Sequence, residues 1–237
     1  MAGLDCAPRI VAERWAWRLG FRTIAGTDEA GRGALAGPLV AAAVILPPQD
    51  LIPGMEELND SKLLTPATRR RLFTCILANA VAWSFACVAP RDIDEGGLQA
   101  ANMAAMREAV LSLGTAPDLV MVDYYRIADL GIPQWSIVHG DRSCRSVAAA
   151  SVLAKVIRDQ LMWHWSLCFP QYGFESNKGY GTPWHLKALA AGGPSPCHRS
   201  SFHGVLQMEM ALDVMDEPCC WLRCGRLLLT HCHRQLM

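Results

Sequence analysis

The sequence predicts an α/β fold: one mixed β-sheet flanked by helices, with a C-terminal helical segment. Two strand-like runs joined by a glycine-rich turn open the chain, helical and strand-like segments then alternate, and no repeat or low-complexity linker divides them. With 237 residues, 51% of them apolar, the chain can bury one substantial core.

Residues 21–28 (FRTIAGTD) and 39–46 (LVAAAVIL) read as strands on either side of the turn EAGRGALAGP. A Pro/Gly-rich loop, PPQDLIPG, follows. Thr65–Pro66 places a capping hydroxyl before a proline suited to the first helical turn, so a helix starts there. Between 81 and 88, Trp83, Phe85 and Cys87 alternate with Ala82, Ser84 and Ala86, the period of a strand. Residues 98–113 are rich in Ala and Met and close on Gly114, which predicts a helix. Short strands are expected at 119–123 and 135–138, a long helix from about 143 to 164, and another helix from Thr182–Pro183.

Lys plus Arg balances Asp plus Glu, 22 against 22. A nucleic-acid surface would therefore need segregation, with acids gathered in a site and bases around it. Most of the ten cysteines sit singly in apolar runs, such as Cys75 in LFTCILANA and Cys87 in WSFACVAP. That suits buried thiols in a reducing compartment better than a disulfide framework. Asp5, Arg9, Glu13 and Arg14 stand where a secretory signal needs an apolar core. The longest apolar run, 34–47, is too short for a bilayer and contains Gly37 and Pro38. A cytoplasmic protein without membrane contact is expected.

Four carboxylates stand out. Asp28 and Glu29 end an apolar strand and run into Gly31–Arg32–Gly33, where backbone N–H groups can approach a ligand closely. Alternation sends neighbouring strand side chains to opposite faces, so joint service in one site requires a break at Glu29, or a contribution through its carbonyl or a water. Asp123 ends PDLVMVD, facing the same way as Leu119 and Met121, and a carboxylate there is costly unless paired or metal-bound. Asp141, in HGDRS, precedes the long helix and could also serve simply as its N-cap. Asp159 competes for the fourth place. A continuous helix would set it roughly 27 Å from Asp141, and Lys155 and Arg158 beside it suggest a surface ion pair, so Asp141 is preferred. Acids from two strand ends and a helix start form an all-oxygen site suited to Mg2+ or Mn2+. Two such ions about 3.5–4 Å apart would activate a water and stabilise the leaving oxygen of a phosphodiester. No Ser–His–Asp set, Cys nucleophile or HExxH motif competes.

GTDEAGRG, LNDSK, VD at a strand end, HGDRS followed by VAAASVLAKVIRDQ, FPQYGF with KGYGT four residues on, and HRSSF occur in that order. Together, over residues 25–202, they resemble bacterial ribonuclease HII. The resemblance implies an RNase H-like fold over residues 21–205, following a helical extension at 1–20. It implies metal binding by Asp28, Glu29, Asp123 and Asp141, and a grip on the ribose 2′-OH and neighbouring phosphate by Gly31, Arg32 and Gly33. Tyr180 falls on the family's tyrosine, expected against the sugar after the ribonucleotide; Lys62 and Lys178 are expected phosphate contacts. The implied substrates are RNA–DNA hybrids and DNA with embedded ribonucleotides, cut on the 5′ side of a ribonucleotide to leave 5′-phosphate and 3′-OH ends. A monomer is expected, with a sliding clamp left open as a partner.

Two departures carry consequences. The family usually has Gly after the strand-end Asp, whereas Tyr124–Tyr125 follow Asp123 here, and His139 stands where Lys is frequent. A ribonuclease HIII-like enzyme and a hybrid-binding protein with a weakened site are the alternatives. Residues 206–237 are expected to hold a C-terminal helix, a loose fit to the family's, and a Cys-rich tail without a counterpart there, whose Cys and His spacing does not suit zinc.

Overall fold

A computed structural model of the protein describes residues 10–138 and 140–205, apart from the side chains of Asp141 and Arg142. The expected C-terminal helix and Cys-rich tail at 206–237, the first nine residues and His139 lie outside the described residues. After helix α1 (Val11–Arg18) come strands β1 (Ile24–Ala30) and β2 (Leu39–Ile45), helix α2 (Pro66–Asn79) and strand β3 (Ala82–Val88). Helices α3 (Pro90–Gly96) and α4 (Leu98–Leu111) lead to β4 (Leu119–Asp123) and β5 (Gln134–Ile137). Helices α5 (Gly140–Ser143), α6 (Arg145–Cys168), α7 (Phe174–Asn177) and α8 (Pro183–Gly192) follow.

The strands form one sheet in the order β3-β2-β1-β4-β5. β1, β2 and β3 pair antiparallel, while β4 and β5 run parallel to β1. This is the mixed sheet that a hairpin followed by helix–strand alternation requires. The caps behave as their chemistry dictates: Thr65 accepts the Thr68 N–H at 3.1 Å and Thr182 the His185 N–H at 3.3 Å, each ahead of a proline. β1 extends two residues past Asp28, to Ala30. α3 was not anticipated; a seven-residue helix is too short to show a periodicity.

Both faces of the sheet are covered. Val40, Ala42 and Val44 of β2 pack with Leu72 and Ile76 of α2 and Ala148, Val152 and Leu153 of α6. Leu39, Ala41 and Ile45 point the other way, toward Ala105, Met106 and Ala109 of α4. Small residues let α6 lie close to the sheet, as at Gly26. A β-carbon there would stand 2.1 Å from the Ser146 carbonyl carbon and 2.2 Å from the Val147 nitrogen, so the strand and helix backbones touch directly.

α6 is also capped from outside. Its N-cap residue, Cys144, makes no capping bond of its own. Glu13 of α1, only 3% exposed, supplies one instead: its Oε1 accepts from Ser146 N at 3.1 Å, Ser146 Oγ at 3.2 Å and Cys144 Sγ at 3.1 Å. A carboxylate at a helix N-terminus meets orphan N–H groups and the positive end of the dipole. Cys144 is buried as a thiol should be here, and burial pushes the Cys87 thiol up to about 12, whereas Cys75 is half-buried with Sγ toward Pro53 O at 3.2 Å. Among the described residues no helix is long and apolar enough to cross a membrane.

The backbone contact sets a test. Gly26→Ala forces β1 and α6 apart and should lower the unfolding free energy by about 3 kcal/mol, the upper range for overpacking, in urea titrations. A loss under roughly 0.5 kcal/mol, the scale of neutral surface changes, would contradict the contact.

Candidate active site

The register of parallel β1 and β4 ends at Thr27 and Val122. Asp28 and Asp123 therefore stand level, one residue further on, on strands about 5 Å apart. Asp123 shares a face with Leu119 and Met121, which pack with Val147 of α6. Asp28 shares one with Gly26 and Ala30, toward the same helix. Both carboxylates leave the sheet on the α6 side.

Glu29 does not. β1 continues unbroken to Ala30, which pairs with Val40. Of the alternatives open to Glu29, a break in the strand is thus absent, and Glu29 emerges on the α4 face, lining a cavity of about 330 Å³ with Asn102, Met103 and Met106. Asp123, Arg32, Tyr124, Tyr125 and Val138 complete the lining. The two faces communicate because β4 stops at Asp123, so side chains can meet around its end. Burial pushes the Glu29 carboxyl above its ordinary range; Arg32 opposes that shift, the charge of Asp123 adds to it, and Asn102 and Lys62 oppose it. Asn102 is 1% exposed with its Oδ1 unpartnered. The only signal for it in the sequence is one amide inside the run AANMAAM.

Asp123 Oδ1 accepts the Gly140 N–H at 3.0 Å. That bond holds the start of α5 against the end of β4, and Asp141 is the next residue of α5. Asp141 is therefore not the cap of the long helix, whose N-cap is Cys144. Its backbone lies within about 8 Å of the Asp123 carboxylate, given the span of one residue; its side chain is outside the described residues. Among the described residues, no three Asp, Glu, His or Cys side chains gather closely enough to hold one ion. Asp28 approaches Asp123 through register, and Glu29 feels Asp123 through charge.

Arg32 projects over the cavity. Its Nη2 donates to Gln99 Oε1 at 2.8 Å, its Nη1 is 3.9 Å from Glu29 Oε1, and its guanidinium lies 5.9 Å from the Tyr125 ring centre. The flanking glycines differ. Gly31 has φ +91°, and a β-carbon would overlap Arg158 Nε at 1.9 Å, whereas one on Gly33 would meet nothing within 4 Å. The fold requires the first glycine and leaves space at the second.

Two buried arginines hold this loop. Arg158 donates to Pro38 O at 2.9 Å, Ala36 O at 3.0 Å and Lys178 O at 2.9 Å. Arg199 donates twice to Gly37 O, at 3.0 and 2.8 Å, and once to Arg32 O at 3.0 Å. Both are 0% exposed, and burial pulls the Arg199 pKa down to about 9. Arg158 is thus not the surface partner of Asp159 that its neighbours suggested. Lys155 pairs with Asp159, at 2.6 Å. Lys155 and Arg158 also lie 5.7 and 5.3 Å from the Tyr180 ring centre. Leu35 N and Ala36 N donate to Gly179 O, which ties the KGYGT turn to the glycine loop. Lys178, at φ +52°, points its Nζ at Glu175 O, 2.6 Å away; Lys62 is exposed and acts on Glu29. Asp94 of α3 accepts the Ser200 N–H at 2.8 Å and the Ser201 N–H at 3.0 Å, fixing the HRSSF segment.

A histidine pair supports the Tyr180 turn from below. Ser195 N donates to His198 Nδ1 at 2.9 Å, so that nitrogen is unprotonated and His198 Nε2 carries the hydrogen. His198 Nε2 donates to His185 Nε2 at 2.9 Å, which leaves His185 Nδ1 to donate to Tyr180 O at 3.0 Å. Protonating either ring sets two hydrogens face to face. Burial, with the neighbouring His185, accordingly holds His198 down at about 4, and burial lowers His185.

A sheet of this order and mixed direction, with carboxylates level just where two adjacent parallel strands stop pairing, defines an RNase H-like protein. The family model described as Ribonuclease HII matches residues 25–205. The ribonuclease HII of Geobacter sulfurreducens is 50% identical over 193 residues, which cover 81% of this chain and 88% of that protein. Ribonuclease H2 of Pyrococcus horikoshii OT3 superposes with a TM-score of 0.64 at 26% identity, covering 77% of this chain and 95% of its own. The ribonuclease HII of Archaeoglobus fulgidus, solved in complex with PCNA, gives 0.63 at 25% identity, covering 81% and 100%. The chain belongs to the ribonuclease HII family and is an endoribonuclease of the ribonuclease H type.

The histidine pair predicts an acid-sensitive fold. His198 titrates near 4 folded and near 6.5 unfolded, so between those values the unfolded chain binds more protons. Its contribution is complete above pH 6.5 and is lost as pH falls toward 4. Between pH 6.5 and 5 it should amount to about 2 kcal/mol. Urea unfolding at both pH values should show a shallower pH slope for His198→Asn than for wild type; equal slopes would contradict the neutral pair.

Proposed function

We propose that the protein hydrolyses the RNA strand of RNA–DNA hybrids and cuts DNA 5′ to embedded ribonucleotides, as in ribonucleotide excision repair, with residues 21–205 as the catalytic unit and α1 as a helical extension. The observation that carries this reading is Asp28 and Asp123 standing level where β1 and β4 stop pairing, beside a glycine loop clamped by two arginines.

The donor set fits divalent cations. It is all oxygen, and a carboxyl such as Glu29, pushed up by burial and by Asp123, is one that a bound cation would favour in its ionised form. Asp28, Glu29, Asp123 and Asp141 would hold two ions, Mg2+ or Mn2+. Ions bound there activate water and stabilise the leaving oxygen of a phosphodiester.

The chain's own groups supply the rest. Gly31 closes the turn by packing on Arg158, and the open side of Gly33 gives a ribose 2′-OH close access to backbone. Arg32, steadied by Gln99 and Tyr125, offers a planar donor to the neighbouring phosphate. Tyr180, 37% exposed, presents its ring to the following deoxyribose. Lys62 and Lys178 are proposed phosphate contacts. The protein acts as a monomer in this reading, and a sliding clamp is the partner suggested by the Archaeoglobus complex with PCNA.

A duplex carrying one ribonucleotide tests the proposal. Wild type with Mg2+ or Mn2+ should nick on the 5′ side of that nucleotide, and EDTA should abolish the reaction. Asp28→Asn should lose several orders of magnitude in rate while melting as wild type does. Binding without nicking would mark a hybrid-binding protein, and full cleavage by Asp28→Asn would remove the metal assignment.

A further inference from the structure

Immediately after Asp123 the backbone makes a turn that its own residue resists. Tyr125 N donates to Asp123 O at 2.9 Å across Tyr124, whose φ is +66°. A γ-turn of that hand is rare and strained, and a residue with a β-carbon is uncommon at such a φ. Glycine would adopt it freely. Strain kept beside a reacting centre is a pointer to function.

The side chains that impose the strain gain little packing from it. Tyr124 is 61% and Tyr125 44% exposed. Their rings meet edge to face, with centroids 4.6 Å apart. Both line the cavity that Glu29 and Asp123 share with Met103 and Met106 of α4. Tyr180, with Lys155 and Arg158, belongs to the α6 side instead. The Arg32 guanidinium stands near the Tyr125 ring, so the aromatic wall adjoins a cation suited to phosphate. Exposed rings beside a cation suit a nucleic-acid strand, whose sugars and bases offer flat faces and whose phosphates offer charge.

We infer that Tyr124 and Tyr125 form a second aromatic contact for the nucleic-acid substrate, packing against a sugar or base on the flank of the site opposite Tyr180. The inference rests on the nuclease reading above. Tyr124 contacts the strand directly. Tyr125 contacts it too and also steadies Arg32.

Tyr124→Gly and Tyr125→Leu test it, against wild type, by cleavage kinetics on an RNA–DNA hybrid with Mn2+, anisotropy of a labelled hybrid in EDTA, and thermal melting. Each variant should bind about tenfold more weakly, the scale of one lost stacking contact, with the loss falling on KM more than on kcat. Tyr124→Gly should melt no lower than wild type, since it relieves the strained turn. Tyr125→Leu keeps the bulk and the turn, and covers the case in which Tyr124→Gly misfolds. Wild-type affinity in a folded variant overturns the inference alone. A wild-type protein that neither binds nor cuts the hybrid overturns the nuclease reading with it.

Discussion

The direct contact of β1 with α6 at Gly26 sets the geometry of everything that follows. Two residues beyond it lies Asp28, and α6 begins one residue before Ser146. A side chain at Gly26 would displace the helix start, and with it α5, Asp141 and the Gly140 N–H held by Asp123. Glu13 secures the same point from the far side by capping Ser146. The carboxylates are thus placed by two backbones that meet without intervening side chains, a stiffer arrangement than packing through flexible groups allows.

Much of this was legible in the residues, because the signals are local. Thr65–Pro66 and Thr182–Pro183 start helices by chemistry contained within four residues, and Leu119, Met121 and Asp123 face one way because a strand alternates. What stayed hidden depends on partners distant in sequence. Arg158 beside Asp159 has the pattern of a surface pair, and only the meeting of α6 with Pro38 and Lys178 turns it inward. Asp94 and Ser200, or His185 and His198, show no periodicity that would join them. Glu29 was hidden differently. Alternation correctly gives its face, but it says nothing about where the neighbouring strand ends, and that end is what lets both faces share one cavity.

Neutral composition conceals a strong internal division of charge. Glu29 and Asp123 share one cavity and Asp28 stands level with Asp123, while Arg32 and Lys62 act on Glu29 and Lys155, Arg158 and Lys178 surround the Tyr180 turn. The pairing between them is partial: Lys155 meets Asp159 at 2.6 Å, while Arg32 stays 3.9 Å from Glu29 and turns a second nitrogen to Gln99. A chain with no net charge thus carries acids and bases grouped on neighbouring parts of one surface, a pattern that net charge alone does not reveal.

Arg158 and Arg199 share one further property: their hydrogen bonds run to carbonyls contributed by residues 32–38 and by Lys178. An enclosed guanidinium that loses one carbonyl while the others stay shut is left dehydrated and undercompensated. Fraying of a single segment is therefore disfavoured. The glycine loop, the Lys178 turn and the Arg199 segment open and close as one cooperative unit, so the parts proposed to touch the sugar are either all in place or all absent.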